Sequence, residues 1–122
     1  MKKILLIEDD PFLIDIYTTK LKEAGFSIDF ANSGDSGLEK LREKKYALLL
    51  LDIVLPKSDG WQILSDIKNM PQKYQELKII ILSNLGQKED VEKGLKMGAT
   101  KYLIKAHYTP SEVVEEIREI LK

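Results

Sequence analysis

The stretch ILLIEDDP, residues 4–11, indicates the fold, because four apolar residues run directly into three adjacent acids and then a proline. Apolar residues on successive positions are typical of a strand that is covered on both faces, as in a parallel sheet. Pro11 is suited to the first position of a helix, and Asp10 to its N-cap. The stretch therefore predicts a buried strand, a turn and a helix start, and it leaves Glu8 and Asp9 to be explained.

The same alternation of short apolar runs and amphipathic stretches continues along the chain. It predicts strands at 3–8, 27–31, 47–51, 78–82 and 101–104, and helices at 11–24, 34–44, 60–69, 87–97 and 110–121. Such alternation predicts an α/β fold of the (βα)5 type, with a parallel five-stranded sheet and right-handed crossovers. The second strand alternates more than the others, which suits an edge of the sheet. Thr109 and Glu112 are spaced as a capping box for the last helix.

Composition favours a single soluble domain over residues 1–122. The chain is 43% hydrophobic and 32% charged, with a formal net charge of −1, so no broad attraction to nucleic acid or anionic membrane is expected. It has no cysteine, which excludes disulfides and thiolate metal sites and is compatible with a cytoplasmic location. The first apolar run is too short for a signal peptide, and the longest is interrupted by Asp52 and too short to span a bilayer. We expect a cytoplasmic protein of one domain, with no further domain after the fifth helix.

Polar residues follow four of the five predicted strands. They are Glu8 and Asp9 after the first, Asp52 after the third, Ser83 after the fourth and Lys105 after the fifth. Each alone has an ordinary explanation as a solvated charge or a turn residue, but Asp52 lies in the most apolar part of the chain and needs a partner if buried. Because ligands of open parallel sheets bind beyond the carboxyl ends of the strands, these side chains predict one site.

The chemistry of that site favours phosphoryl transfer. Two carboxylates about 4 Å apart repel by about 4 kcal/mol at an effective dielectric near 20, so their convergence requires a cation. All-oxygen ligands favour Mg²⁺, a hard ion that often shares a site with phosphate. Asp52 would then be a carboxylate nucleophile, with Lys105 and Ser83 facing the phosphate. No Gly-rich phosphate loop occurs, so the donor would be a small molecule or another protein.

Four motifs in this order, ILLIEDD, LLLLDIVLPKSDG, IIILSN and KYLIK, resemble the receiver domain of bacterial two-component response regulators, the CheY-like phospho-accepting partners of sensor histidine kinases. The resemblance covers the whole chain. It implies a flavodoxin-like three-layer sandwich with strand order 2-1-3-4-5.

The resemblance also implies a role for each site residue. Asp52 would be phosphorylated by a histidine kinase, a phosphotransfer protein or a small phosphodonor. Mg²⁺ would be held by Glu8, Asp9, Asp52 and the backbone carbonyl of Val54. Ser83 and Lys105 would contact the phosphoryl oxygens.

A conformational switch is implied as well. Ser83 would be drawn inward, the loop after the fourth strand would shift, and Tyr102 would turn inward; alternatively, Tyr102 is an ordinary amphipathic residue at the sheet rim. The fourth helix, fifth strand and fifth helix would form the face read by a downstream protein or a missing output domain. We expect a signalling switch rather than an enzyme. We expect the protein to be a monomer or a phosphorylation-dependent dimer, and to bind neither nucleic acid nor membrane directly.

The chain departs from the family pattern at four positions. Ala106 stands where a proline with a cis peptide is usual, so either a cis bond is kept at a cost of about 2.5–4 kcal/mol or the bond is trans and Lys105 is placed differently. Asn84 stands where a small residue is usual, and it could crowd the pocket or add a hydrogen bond. Val54 and Leu85 occupy positions that commonly tune dephosphorylation. Both are apolar and can orient no water, which predicts a long-lived phosphoryl group.

Two other functions compete with the phospho-accepting receiver. A pseudo-receiver would have the fold and dock partners without being phosphorylated. An aspartyl-phosphate hydrolase would need a second Asp two residues after the nucleophile, where this chain has Val54. His107, the only histidine, is expected to be solvent-exposed, and Trp61 is expected to be a partly buried packing residue.

Overall fold

The computed structural model describes residues 2–56 and 59–122. Its elements in chain order are β1 (Lys3–Ile7), α1 (Pro11–Glu23), β2 (Ser27–Ala31), α2 (Gly34–Glu43), β3 (Leu48–Leu51), α3 (Gly60–Lys68), β4 (Lys78–Ser83), α4 (Lys88–Lys96), β5 (Lys101–Ile104), a 3₁₀ turn at Lys105–His107 and α5 (Pro110–Ile120). Lys57 and Ser58, within the motif LLLLDIVLPKSDG, lie outside the described residues. Within the part described, no helix is long and apolar enough to cross a membrane.

The five strands form one parallel sheet in the order β2-β1-β3-β4-β5, which confirms the predicted fold and strand order. Element bounds differ from the predicted ones by no more than one residue at either end. All five helices end one residue earlier than predicted, because the last predicted residue is a C-cap; Ala24 and Lys44 are examples. The β4 strand runs one residue further, to Ser83, and so carries a site residue within the sheet.

Apolar residues on successive positions of the strands serve two separate cores. On one face, Leu6, Leu50 and their neighbours pack with α1 and α5. On the other face, Leu5, Leu51 and their neighbours pack with α2 and α3. The predicted edge strand, β2, is less covered, and its Phe30 is half exposed. Because helices cover both faces of the sheet, β3 and residues 79–82 of β4 are all apolar, and polar residues come only at the carboxyl ends of these strands.

Capping fixes where the helices begin. Asp10 accepts a hydrogen bond from the amide of Phe12 at 2.9 Å, which confirms it as the N-cap of α1. Thr109 and Glu112 form the predicted capping box at the start of α5. Asp59 caps α3 in the same manner through the amide of Gln62. Asp10 is thereby committed to the backbone, which separates it from the two acids before it.

Helix α4 is the least embedded of the five helices. Gly94 is its only buried residue, and its N-cap Gln87 makes no side-chain capping bond. A Cβ at Gly94 would lie 2.7 Å from Ile81 and 2.8 Å from the Tyr102 ring, so only glycine lets α4 approach the sheet this closely. Leu95 on the same helix is half exposed.

Gly60 allows the start of α3 to contact the backbone that follows β3. Its amide donates to the carbonyl of Ile53 at 2.7 Å. A Cβ at this position would lie 2.8 Å from both the carbonyl oxygen of Asp52 and the Cα of Ile53. Backbone atoms cannot move aside as a flexible side chain can, so glycine at this position holds the Asp52 segment in place.

We expect Gly60→Ala to destabilise the protein by about 1–3 kcal/mol, the usual cost of overpacking. The measurement is the free energy of unfolding in urea. Gly86→Ala is the matched control, because its Cβ would meet only the side chain of Ile104, at 3.0 Å. Equal effects of the two substitutions would contradict the role given to the backbone contact.

Candidate functional site

Three carboxylates converge at the carboxyl ends of β1 and β3. One oxygen from each of Glu8, Asp9 and Asp52 lies within 4.8 Å of the others. Glu8 and Asp52 are buried, with 1% and 6% of their surface exposed, whereas Asp9 is exposed. The convergence predicted from the strand ends is therefore present.

Glu8 is held by three donors. Its Oε2 accepts hydrogen bonds from the backbone amides of Asp9 at 3.0 Å and Asp10 at 3.1 Å. Its Oε1 lies 2.7 Å from the Lys105 ammonium. Burial nevertheless raises the pKa of the Glu8 carboxyl above its ordinary value, opposed by the bonds to Lys105 and to the backbone. Glu8 is thus buried and held in a fixed orientation, and Asp9 is the acid most open to a ligand.

Lys105 lies between the two buried acids. Its ammonium is 2.7 Å from Asp52 Oδ2 as well as from Glu8 Oε1, and the side chain is 16% exposed. Burial lowers the pKa of Lys105, but the hydrogen bonds to Asp52 and Glu8 outweigh burial, and the pKa lies above its ordinary value. The ammonium is therefore a permanent positive charge beside Asp52.

Asp52 has each oxygen in a defined environment. Oδ2 faces Lys105, and Oδ1 accepts a hydrogen bond from the amide of Val54 at 3.1 Å. Val54 itself is 59% exposed. That its carbonyl binds a metal stays a prediction.

The donor set fits a hard divalent cation. The site holds three carboxylates and one ammonium, so negative charge is in excess. Each of the three acids offers a carboxylate oxygen to a cation. Such a set matches the preference of Mg²⁺ for a small number of carboxylates. The site residues can therefore hold the predicted ion.

Ser83 and Tyr102 form a second group beside the acids. Ser83 is completely buried, and its Oγ accepts a hydrogen bond from the amide of Leu85 at 3.3 Å. The Tyr102 hydroxyl donates to the carbonyl of Leu85, and burial raises the pKa of Tyr102 to about 12. Tyr102 thus packs inward against α4 and is bonded to the same loop as Ser83, rather than lying free at the rim. Its role in switching stays a prediction.

Two departures from the family pattern contact each other. The amide of Ala106 donates to Asn84 Oδ1 at 3.1 Å, so Asn84 adds a hydrogen bond, one of the two alternatives for this residue. No peptide bond within residues 2–56 and 59–122 is cis, so the bond between Lys105 and Ala106 is trans. Lys105 nevertheless reaches Asp52. Sequence reasoning missed this pairing, because neither residue carries a charge or an apolar pattern.

The two remaining candidates lie as expected. His107 is exposed on the 3₁₀ turn. Trp61 is partly buried against the core beneath α3, and the Lys93 ammonium lies 4.3 Å from the centre of its ring. This cation–π contact joins α3 to α4 and was not predicted, since a surface lysine gives no signal of its partner.

The raised pKa of Glu8 predicts how stability depends on pH without metal. Its contribution is fully present below the pKa of the unfolded chain and is lost as the pH rises through the higher folded pKa. Glutamine cannot titrate, so the stability of Glu8→Gln relative to the wild type should rise between pH 4 and pH 7 (about the range of carboxyl titration). Urea unfolding in EDTA measures it.

Asp15→Asn, at an exposed acid on α1, is the control for a general change of charge. A difference between Glu8→Gln and wild type that stays flat or falls with rising pH would contradict the dominance of burial at Glu8.

Comparisons with known proteins agree on the family of this chain. A family model described as the response regulator receiver domain matches residues 4–118. The transcriptional regulatory protein HprR of Escherichia coli K12 is 38% identical over 120 residues, covering 98% of this chain and 52% of that protein. CusR of the same strain is 33% identical over 120 residues, covering 98% of this chain and 51% of that protein. The chain spans about half the length of the curated relatives it matches.

Solved structures show the same relationship. A CheY-like receiver domain protein from Methanospirillum hungatei JF-1 has a TM-score of 0.89 and 27% identity, covering 99% of this chain and 94% of that one. The response regulator TrrA from Thermotoga maritima, in complex with Mg²⁺-BeF, has a TM-score of 0.82 and 28% identity, covering 98% of both chains. The chain belongs to the response regulator receiver domains of two-component signal transduction.

Proposed function

We propose that this receiver accepts a phosphoryl group on Asp52 in a Mg²⁺-dependent reaction. The observation that carries the proposal is the contact of the buried Asp52 carboxylate with the Lys105 ammonium at 2.7 Å, beside oxygens of Glu8 and Asp9. The donor would be a sensor histidine kinase, a phosphotransfer protein or a small phosphodonor. That TrrA was crystallised with Mg²⁺-BeF supports a site of this chemistry in the family.

The chain's own groups suit the reaction. An Asp52 oxygen attacks phosphorus, the bond from phosphorus to the donor's leaving group breaks, and an acyl phosphate forms on Asp52. Lys105 places a positive charge where the phosphoryl oxygens gather negative charge. Mg²⁺, held by Glu8, Asp9, Asp52 and the Val54 carbonyl, would supply further neutralisation of that charge. Asp9 is the exposed member of the set and would be the first to bind the ion.

The response would be a population shift rather than a new fold. The Ser83 hydroxyl is buried and bonded to the loop that also accepts from Tyr102. A phosphoryl oxygen would accept a hydrogen bond from the Ser83 hydroxyl and draw it toward Asp52, and this would bias the position of the loop whose Leu85 amide is bonded to Ser83 Oγ. Since α4 begins just after the loop and buries only Gly94, the face of α4, β5 and α5 is suited to report the change.

In this proposal the protein is a signalling switch and accelerates only its own phosphorylation and dephosphorylation. Because its curated relatives are transcriptional regulatory proteins of about twice its length, the reported face would act on an output domain or a separate protein. We place the function in the cytoplasm, where histidine kinases present their phosphoryl groups. The pseudo-receiver is the competing hypothesis that the following experiment tests.

We expect incubation with acetyl phosphate and Mg²⁺ to add one phosphoryl group, detected by intact-mass spectrometry. The adduct should be absent in EDTA and in Asp52→Asn. Asp59→Asn is the matched control, because asparagine caps a helix as well as aspartate does, and this exposed acid should not matter. Absence of an adduct from both acetyl phosphate and phosphoramidate would favour the pseudo-receiver.

The apolar residues Val54 and Leu85 predict slow loss of the phosphoryl group. We expect Val54→Asn to release phosphate about fivefold faster, the effect of one new hydrogen bond that orients the attacking water. A time course of inorganic phosphate release measures it. Val54→Ala tests access alone; if it accelerates release as much as Val54→Asn, orientation of water is not the cause.

A further inference from the structure

The loop after β5 carries Lys105, and few backbone bonds hold it at that point. The pairing of β4 with β5 ends at Ser83 and Ile104. The 3₁₀ turn that follows has no side-chain cap at its start. Its own bond, from the amide of Tyr108 to the carbonyl of Lys105, is 3.4 Å long, beyond the usual range of about 2.7–3.2 Å. Another contact is needed to fix the backbone at Lys105.

The Asn84 side chain supplies that contact. Its Oδ1 accepts a hydrogen bond from the Ala106 amide at 3.1 Å; Asn84 lies one residue beyond Ser83, and Ala106 two residues beyond Ile104, the last paired residues of the two strands. The side chain therefore continues the connection of β4 with β5 where the backbone ladder has stopped. The donor exists because residue 106 is not proline, so the residues at 84 and 106 are complementary.

The position of the Lys105 ammonium depends on where the backbone at residue 105 lies. Its ammonium sits on a flexible four-carbon stem and must stay 2.7 Å from both Asp52 and Glu8. If the start of the loop shifts, the stem must find a new geometry or lose a partner. In reactions that rely on placed charge, small displacements of such a group cost rate.

We propose that Asn84 is a positioning residue, whose bond to the Ala106 amide fixes the backbone from which Lys105 reaches Asp52. The inference rests on the proposed function for its effect on rate: Asn84 sets how fast Asp52 accepts a phosphoryl group by holding Lys105 in place. Asn84 directly follows Ser83 and bonds the amide of the residue after Lys105. It therefore connects the backbone that carries the Ser83 hydroxyl to the backbone that carries the Lys105 ammonium.

The first test needs no phosphorylation. Amide exchange of Ala106 and the ¹⁵Nζ resonance of Lys105 are recorded by NMR in the wild type, Asn84→Leu and Asn84→Asp. Leucine has a similar size but no acceptor, and aspartate keeps an acceptor oxygen. We expect faster Ala106 exchange and a shifted Lys105 resonance in Asn84→Leu, and exchange close to wild type in Asn84→Asp. A single cooperative unfolding transition in both variants shows that they are folded.

The second test is the rate of phosphorylation by phosphoramidate at saturating Mg²⁺. We expect Asn84→Leu to lose about fivefold, the effect of one hydrogen bond, mainly in the maximal rate rather than in the donor concentration for half-maximal rate. Ala106→Pro removes the same bond from the donor side, while Ala106→Gly keeps the amide and serves as its control. If both residues act through this bond, the double variant Asn84→Leu/Ala106→Pro loses no more than Ala106→Pro alone.

The outcomes separate the two proposals. Unchanged Ala106 exchange and Lys105 resonance in Asn84→Leu, or losses that multiply in the double variant, would overturn the positioning role. A wild type that takes no phosphoryl group, with NMR changes as expected, would overturn the proposed function and support the placement of Lys105 by Asn84.

Discussion

The Lys105 ammonium is what allows two carboxylates to lie buried side by side at the end of this sheet. A buried anion without a partner is too costly to keep, and Glu8 and Asp52 share one cation at 2.7 Å each. The strand order makes this a long reach, because β4 lies between β5, which leads to Lys105, and β3, which leads to Asp52. It is consistent with that reach that β4 ends in Ser83, a small residue. The small side chain of Ser83 and the long side chain of Lys105 both serve the contact of Lys105 with Asp52.

The balance of charge at the site explains why it is suited to bind a cation. One ammonium does not neutralise three acids, and the excess negative charge is concentrated where Asp9 is exposed. Backbone amides offset part of the charge on Glu8, yet burial still raises the pKa of that carboxyl. A divalent cation would relieve the repulsion without any movement of the strands, since the carboxylates are held by the elements that carry them. Preorganisation of this kind keeps the cost of binding low.

Sequence alone predicted the parts of the molecule that follow from periodicity and strand ends. Apolar runs fixed the sheet to within a residue at each boundary, and the residue after each buried strand located Asp52 and its neighbours. The capping box at α5 was predictable because its chemistry is local. The pairing of Asn84 with Ala106 was not, since both are exposed loop residues whose contact depends on how two loops meet. Likewise, the contact of Lys93 with Trp61 follows from the packing of two helices, which no local pattern specifies.

The site and helix α4 differ in how firmly they are anchored to the rest of the protein. Glu8 and Asp52 directly follow the buried strands β1 and β3, and Lys105 contacts both of these acids, so a change of charge there is not easily absorbed by moving the two carboxylates. Helix α4 has one buried residue and an uncapped start, and Tyr102 and Ser83 both bond to Leu85, in the loop that leads into it. Of the five helices, α4 is therefore the one that would cost least to displace. In the proposed switch, a change of charge at the site would therefore be reported by a displacement of α4, and so by a change of the surface that α4 forms.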